Sequence, residues 1–132
     1  GQVEQARARY EMALRLVRET GGRRFEGAVL GEMGELEVTQ SRLVEAFELF
    51  RQGEAILREV DDAGLLAILL CGYAHADLAA GNRTAAQSKF DEAKRYATRQ
   101  DVAGDSDLGR RIAALEAALA VAPPAVLGPA SA

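Results

Sequence analysis

Cys71 and His75 are the pair in this chain nearest to a reactive chemistry. Four residues apart on a helix, a thiol and an imidazole share one face, and that spacing serves a metal ion or a redox-active thiol. Two ligands do not make a site. His75 is the sole histidine and Cys71 the sole cysteine, so any further ligands would have to be carboxylates from other helices. A cysteine–histidine nucleophile also needs an oxyanion-binding loop, and no segment reads as one. The ordinary reading is a small buried thiol beside an imidazole. Gly21-Gly22 next to Arg23-Arg24 suggests phosphate binding, yet it follows a helix and lacks the glycine-lysine-serine pattern of a phosphate loop. It reads better as a turn. No catalytic residue, cofactor or metal is expected, and the chain is not expected to be an enzyme.

The elements that position these residues show themselves through repetition. Aligning Gly1, Ser41 and Gly81 brings Ala6, Ala46 and Ala86 into register, then Tyr10, Phe50 and Phe90, then Ala13, Gly53 and Ala93, then Leu16, Ile56 and Tyr96. Leu30 aligns with Leu70 at the same interval of 40 residues. Within each unit the recurring positions lie three or four apart, and no stretch sustains a period of two. Each unit is therefore a helical hairpin, and an interval of this length predicts stacked units. Helices are expected over residues 2–20, 24–39, 42–60, 63–79, 83–99 and 106–121. Gly21-Gly22 stops the first, Ser41 and Gly81-Asn82 begin turns, Asp61-Asp62 caps the fourth, and Pro123-Pro124 stops the last.

These residues resemble the tetratricopeptide repeat. Met33-Gly34, a turn at Ser41, then Ala46, Phe50 and Gly53 form one unit; Tyr73-Ala74, Gly81, Ala86, Phe90 and Ala93 form the next. Ala6, Tyr10 and Ala13 supply a lone second helix before them, and Ala113-Ala114 falls where a final first helix begins its second half. The resemblance implies an all-α fold, a right-handed α-solenoid of antiparallel hairpins with about six helices over residues 1–121. Small residues let helix backbones approach, while the aromatic fills the space between hairpins. Two departures stand out: Glu37 and Asp77 occupy the family's usual tyrosine position late in the first helix, and its proline at the end of the second helix is missing. The repeat is also longer than the usual interval of about 34 residues. Such lengthened repeats, with turns like Arg18-Glu19-Thr20-Gly21-Gly22 and Arg58-Glu59-Val60-Asp61-Asp62, are similar to those in C-terminal arrays of large bacterial signalling and regulatory proteins.

In that family the first helices line a concave surface that binds peptides or partner proteins. Carried over by phase, the groove comprises Ala28, Gly31, Glu35, Val38 and Thr39, then Ile68, Cys71, His75, Leu78 and Ala79, then Leu108, Arg111, Leu115 and Leu119. Apolar contacts would supply affinity and Glu35 or Arg111 would fix orientation. The alternative is that some of these face neighbouring helices. The lysines, asparagines and arginine with which chaperone-binding members grip a terminal carboxylate are replaced here by Gly31, Glu35, Gly72, Leu108 and Ile112. That clamp is absent. Two roles survive: a protein-interaction module of a larger signalling polypeptide, or a structural spacer that self-associates and leaves its groove empty.

Composition fits one domain rich in alanine and leucine, with 48% hydrophobic and 27% charged residues. A formal charge of −4 argues against nonspecific nucleic-acid binding, which needs a dense cationic surface. The charge is uneven: residues 26–62 hold ten acidic and three basic side chains, residues 81–132 seven basic and six acidic. Either successive units attract one another, or a charged partner is oriented along the array, or solvated faces simply vary. A lone cysteine is typical of a reducing cytoplasm, and the longest uncharged run before the tail, Ala63 to Ala76, is too short to cross a bilayer. It reads as a buried helix. The polar N-terminus does not read as a secretory signal. The first helix lacks the helix it should pack against, so the chain reads as a fragment of a longer array. Self-association through Val3, Tyr10, Leu14 and Val17 is therefore expected, and residues 122–132 are expected to be disordered.

Overall fold

The computed structural model describes residues 1–123, and among them there are six helices and no strand. They are α1 (Gln2–Thr20), α2 (Arg23–Thr39), α3 (Leu43–Glu59), α4 (Ala63–Ala79), α5 (Arg83–Arg99) and α6 (Asp107–Ala120). The tail expected to be disordered lies almost wholly outside the described residues.

A period of 20 residues governs where helices stop. Gly21, Ser41, Asp61, Gly81 and Asp101 all have positive φ, between 51° and 83°. After each, an N–H reaches back to a carbonyl five residues earlier: Gly22 to Val17, Arg42 to Glu37, Asp62 to Leu57, Asn82 to Asp77 and Val102 to Ala97, at 2.7–3.0 Å. This is the Schellman arrangement, which satisfies carbonyls that a helix end leaves unpaired. Glycine adopts this left-handed geometry without penalty; serine and aspartate tolerate it less well and use it here at three of the five turns. The fifth turn begins like the others, but α6 is delayed to Asp107 because Ser106 caps it, accepting the Gly109 N–H at 3.0 Å. At the start of α4, Asp62 likewise accepts the Leu65 N–H at 3.0 Å.

Packing follows chain order. α1 packs on α2, α2 on α3 and α4, α3 on α4, and α4 on α5 and α6; α5 also packs on α6. α4 touches four helices, which explains why its sequence is apolar all round: Leu66, Ala67, Leu69, Leu70, Cys71, Ala74 and Ala76 are all buried. The aligned small and aromatic residues lie at these contacts. Ala46, Phe50, Ala86 and Ala93 have no exposed surface, and Phe50 stacks on Tyr73 with ring centroids 5.1 Å apart. Gly34 faces that ring; a Cβ there would lie 2.9 Å from Phe50. The equivalent Ala6, Tyr10 and Ala13 are half-exposed, since α1 packs on α2 alone.

Carboxylates at the two departure positions are buried and paired. Asp77 receives the Lys89 ammonium at 2.7 Å, and Lys89 also sits 4.2 Å from the Tyr73 ring centre. Glu37 receives Arg7 Nε of α1 at 2.9 Å. Arg42 Nε lies 3.1 Å from its second oxygen, close enough for ion pairing but off the line of a hydrogen bond. Acid–base pairs thus tie α1 to α2 and α4 to α5.

Of the four residues expected to form a self-association stripe on α1, the structure buries one, Leu14. Leu14 is buried within this chain, clustered with Leu30 of α2 and Ile56 of α3, and Val17 packs against the same cluster. Tyr10 and Val3 are half-buried. Packing on α2 takes Leu14 out of solvent and leaves the other three residues of the stripe partly exposed. The large apolar residues that α1 does expose are Met12 and Leu16, on another face.

Candidate ligand groove

One residue row on each of α2, α4 and α6 builds the groove. Because α2 and α6 both pack on α4, side chains at corresponding phases converge above α4. A cleft of about 240 Å³ is lined by Glu35 and Val38 from α2, Cys71, Gly72 and His75 from α4, and Arg111 and Ala114 from α6. A smaller one, about 100 Å³, is lined by Ala28, Gly31, Glu32 and Glu35, by Leu65, Ile68 and Leu69, and by Asp107 and Arg111. Glu35 and Arg111 belong to both.

They form the partition between them. Arg111 Nη1 lies 2.5 Å from Glu35 Oε1, joining α6 to α2 across 76 residues of sequence, and its Nε donates to Asp107 Oδ2 at 3.0 Å. Gly72 makes room for this bridge: a Cβ there would fall 2.7 Å from Glu35 Oε1 and 2.8 Å from its Cγ. Both partners of the bridge are about one-third exposed.

The titratable groups sense each other. Burial raises the Glu32 carboxyl above its ordinary range and the neighbouring Glu35 charge adds to this, with Arg111 opposing. Burial pulls the His75 imidazole below its usual value; Glu35 works against that and Arg111 with it. The Cys71 thiol is pushed up to about 11, mainly by burial, so at neutral pH it is protonated and a poor nucleophile. Burial, then the charges of Glu32 and Glu35, also raise the Tyr10 phenol, which places α1's aromatic near the groove acids. No group of three His, Cys, Asp or Glu side chains among the described residues is placed to hold a metal ion.

Of the residues expected here, the structure brings together Gly31, Glu35, Cys71, His75 and Arg111. Three lie elsewhere. Thr39 is exposed at the end of α2, its hydroxyl donating to the Leu36 carbonyl at 2.6 Å. Leu78 packs against the cluster formed by α4, α5 and α6. Leu115 is fully buried in that cluster with Leu108 and Ile112, so it supports the groove from beneath. The stripe Leu108–Ile112–Leu115 is the apolar surface α6 has to offer α4 and α5, and turning it inward leaves Arg111 and Ala114 facing the cleft. Glu32 and Asp107 were not anticipated as groove residues. Their signals are a carboxylate three residues before Glu35 and another four before Arg111, on the same helix faces.

Compared with known proteins, the chain matches no family model, no curated protein and no solved structure. Among the described residues, no helix is long and apolar enough to cross a membrane.

Proposed function

We propose that this chain is a non-catalytic protein-interaction module of the tetratricopeptide type, a right-handed α-solenoid segment that binds a peptide or partner domain in the groove over α4. The observation that carries this reading is the cleft of about 240 Å³ with mostly apolar walls and a few convergent polar groups, Glu35, His75 and Arg111. Ligand sites have that composition. Packing confined to helices one or two apart in the chain, with α4 central to two hairpins, supports the solenoid arrangement, and the aligned Ala46, Phe50 and Gly53 support the family resemblance. A module of this kind belongs to a larger signalling or transcription-regulatory polypeptide and acts in the cytoplasm, without a cofactor.

A second reading, a spacer or self-association segment, is favoured by two observations. Glu35 and Arg111 neutralise each other rather than standing free, and α1 exposes Met12 and Leu16. Selection of a random peptide library on the immobilised domain separates the two. An interaction module yields peptides whose amide NMR footprint covers Gly72 and His75, and the triple variant Glu35→Ala/His75→Ala/Arg111→Ala loses them while keeping its helicity. Enrichment of nothing, or a footprint on α1 alone, refutes the groove.

A further inference from the structure

The groove is unevenly charged. Three carboxylates, those of the exposed Glu32 and Asp107 and of the half-buried Glu35, line the smaller cavity together with one guanidinium, that of Arg111. Arg111 is already shared between Glu35 and Asp107, and Glu32 has no ion-pair partner among the described residues. The formal balance of these four groups is −2. The cavity they line has a volume of about 100 Å³. That is room enough for the head of one cationic side chain. Its floor, Gly31, Ile68 and Leu69, is apolar, which suits the methylene stem behind such a head. The adjoining larger cleft has mostly apolar walls from Val38, Gly72 and Ala114.

We infer that the groove takes a peptide segment bearing a lysine or arginine, whose cation enters between Glu32, Glu35 and Asp107, beside an apolar residue that fills the larger cleft. This deepens the groove-binding reading and rests on it. Charge complementarity selects the occupant: a cation supplies Glu32 with the partner it lacks and competes for Glu35, whereas a carboxylate would have to take Arg111 from two existing partners while approaching Glu32. Burial is the main cause that raises the Glu32 carboxyl, and the smaller part due to the neighbouring Glu35 and Asp107 charges is relieved by a bound cation and worsened by a bound anion.

The test uses three pools of N-acetylated, C-amidated octapeptides whose central pair is fixed as Leu-Arg, Leu-Gln or Leu-Glu, with uncharged degenerate residues elsewhere. Each is titrated into the full chain while the Gly31 and Gly72 amide signals are followed by NMR. The Leu-Arg pool is expected to half-saturate both signals at a concentration at least tenfold below that for Leu-Glu. Glu32→Gln and Asp107→Asn each should weaken the Leu-Arg pool roughly threefold to fivefold, the range of a partly exposed charge contact, and leave Leu-Gln unchanged. Equal saturation by Leu-Gln or Leu-Glu overturns the cation assignment while the groove stands. No shift at either glycine with any pool overturns the groove itself, and the cation assignment with it.

Discussion

Gly72→Ala should separate binding from stability. The added Cβ meets Glu35 Oε1 at 2.7 Å and Cγ at 2.8 Å, so the Glu35 side chain must rotate away and release Arg111. Glu35 and Arg111 are each about one-third exposed, so the bridge contributes at most about 1 kcal/mol. Replacing glycine by alanine inside a helix returns roughly 0.8–1 kcal/mol. The two nearly cancel, and the melting temperature should move by no more than about 4 °C. Peptide affinity should nonetheless fall tenfold or more, because the rotated Glu35 and the new methyl both occupy the cleft. The control is the same substitution at Gly53 in α3, where a Cβ meets Leu69 Cδ1 at 2.6 Å and the Gly27 backbone carbonyl at 3.0 Å. Backbone cannot swing aside, so Gly53→Ala should cost about 1–3 kcal/mol. Thermal melts by circular dichroism read both variants, and the Arg111 side-chain NMR signal reports the bridge. A Gly72→Ala protein destabilised by more than about 2 kcal/mol, or one that keeps full affinity, would refute the reasoning.

Lys89→Met leaves the buried Asp77 carboxylate without its partner at 2.7 Å and should destabilise the fold by about 3 kcal/mol; the double variant with Asp77→Asn should recover most of that in chemical denaturation, and failure to recover would show that Lys89 acts through packing on Tyr73 instead. His75, the one histidine, should titrate below its ordinary value because burial disfavours the cation. Between the unfolded value near 6.5 and the lower folded one, the unfolded chain binds a proton that the folded chain does not, so stability falls as pH falls through that window. Arg111→Met should raise the His75 pKa and Glu35→Gln should lower it further, both readable from the ring NMR signals; opposite signs would place the imidazole outside the groove's field.

Most of the fold was legible because its punctuation is local. Each of the first five helices ends where a small or acidic residue takes the left-handed position, and the 20-residue spacing of Gly21, Ser41, Asp61, Gly81 and Asp101 was half visible in the 40-residue repeat. On α1 the burial of Leu14 was not legible, because amphipathic pattern alone does not say which residue of a stripe a neighbouring helix covers. Gly31, Cys71 and Arg111, and likewise Glu35 and His75, were legible by phase, 40 residues apart on alternate helices. Leu115 shares a phase with Glu35 and His75 and still lies in the core, since α6 turns its leucine stripe toward α4 and α5. Glu32 and Asp107 lay one turn from the residues singled out, and their relevance depends on how far apart α2 and α6 stand, which no helical period encodes.

That separation gives Arg111 two roles at once. α2 and α6 each pack on α4, and the Glu35–Arg111 bridge ties them to each other over Gly72. The span of the groove is therefore held partly by an ion pair that salt screens, rather than only by an apolar interface that salt leaves intact. Any cation that competes for Glu35 also loosens the tie between α2 and α6, so occupancy of the smaller cavity and the width of the larger one are linked through one guanidinium. A ligand that contacted only the apolar walls would leave the bridge in place and see the two cavities as separate. Linkage of this kind is reciprocal: whatever widens the cleft by drawing Arg111 away also frees Glu35 to receive a cation.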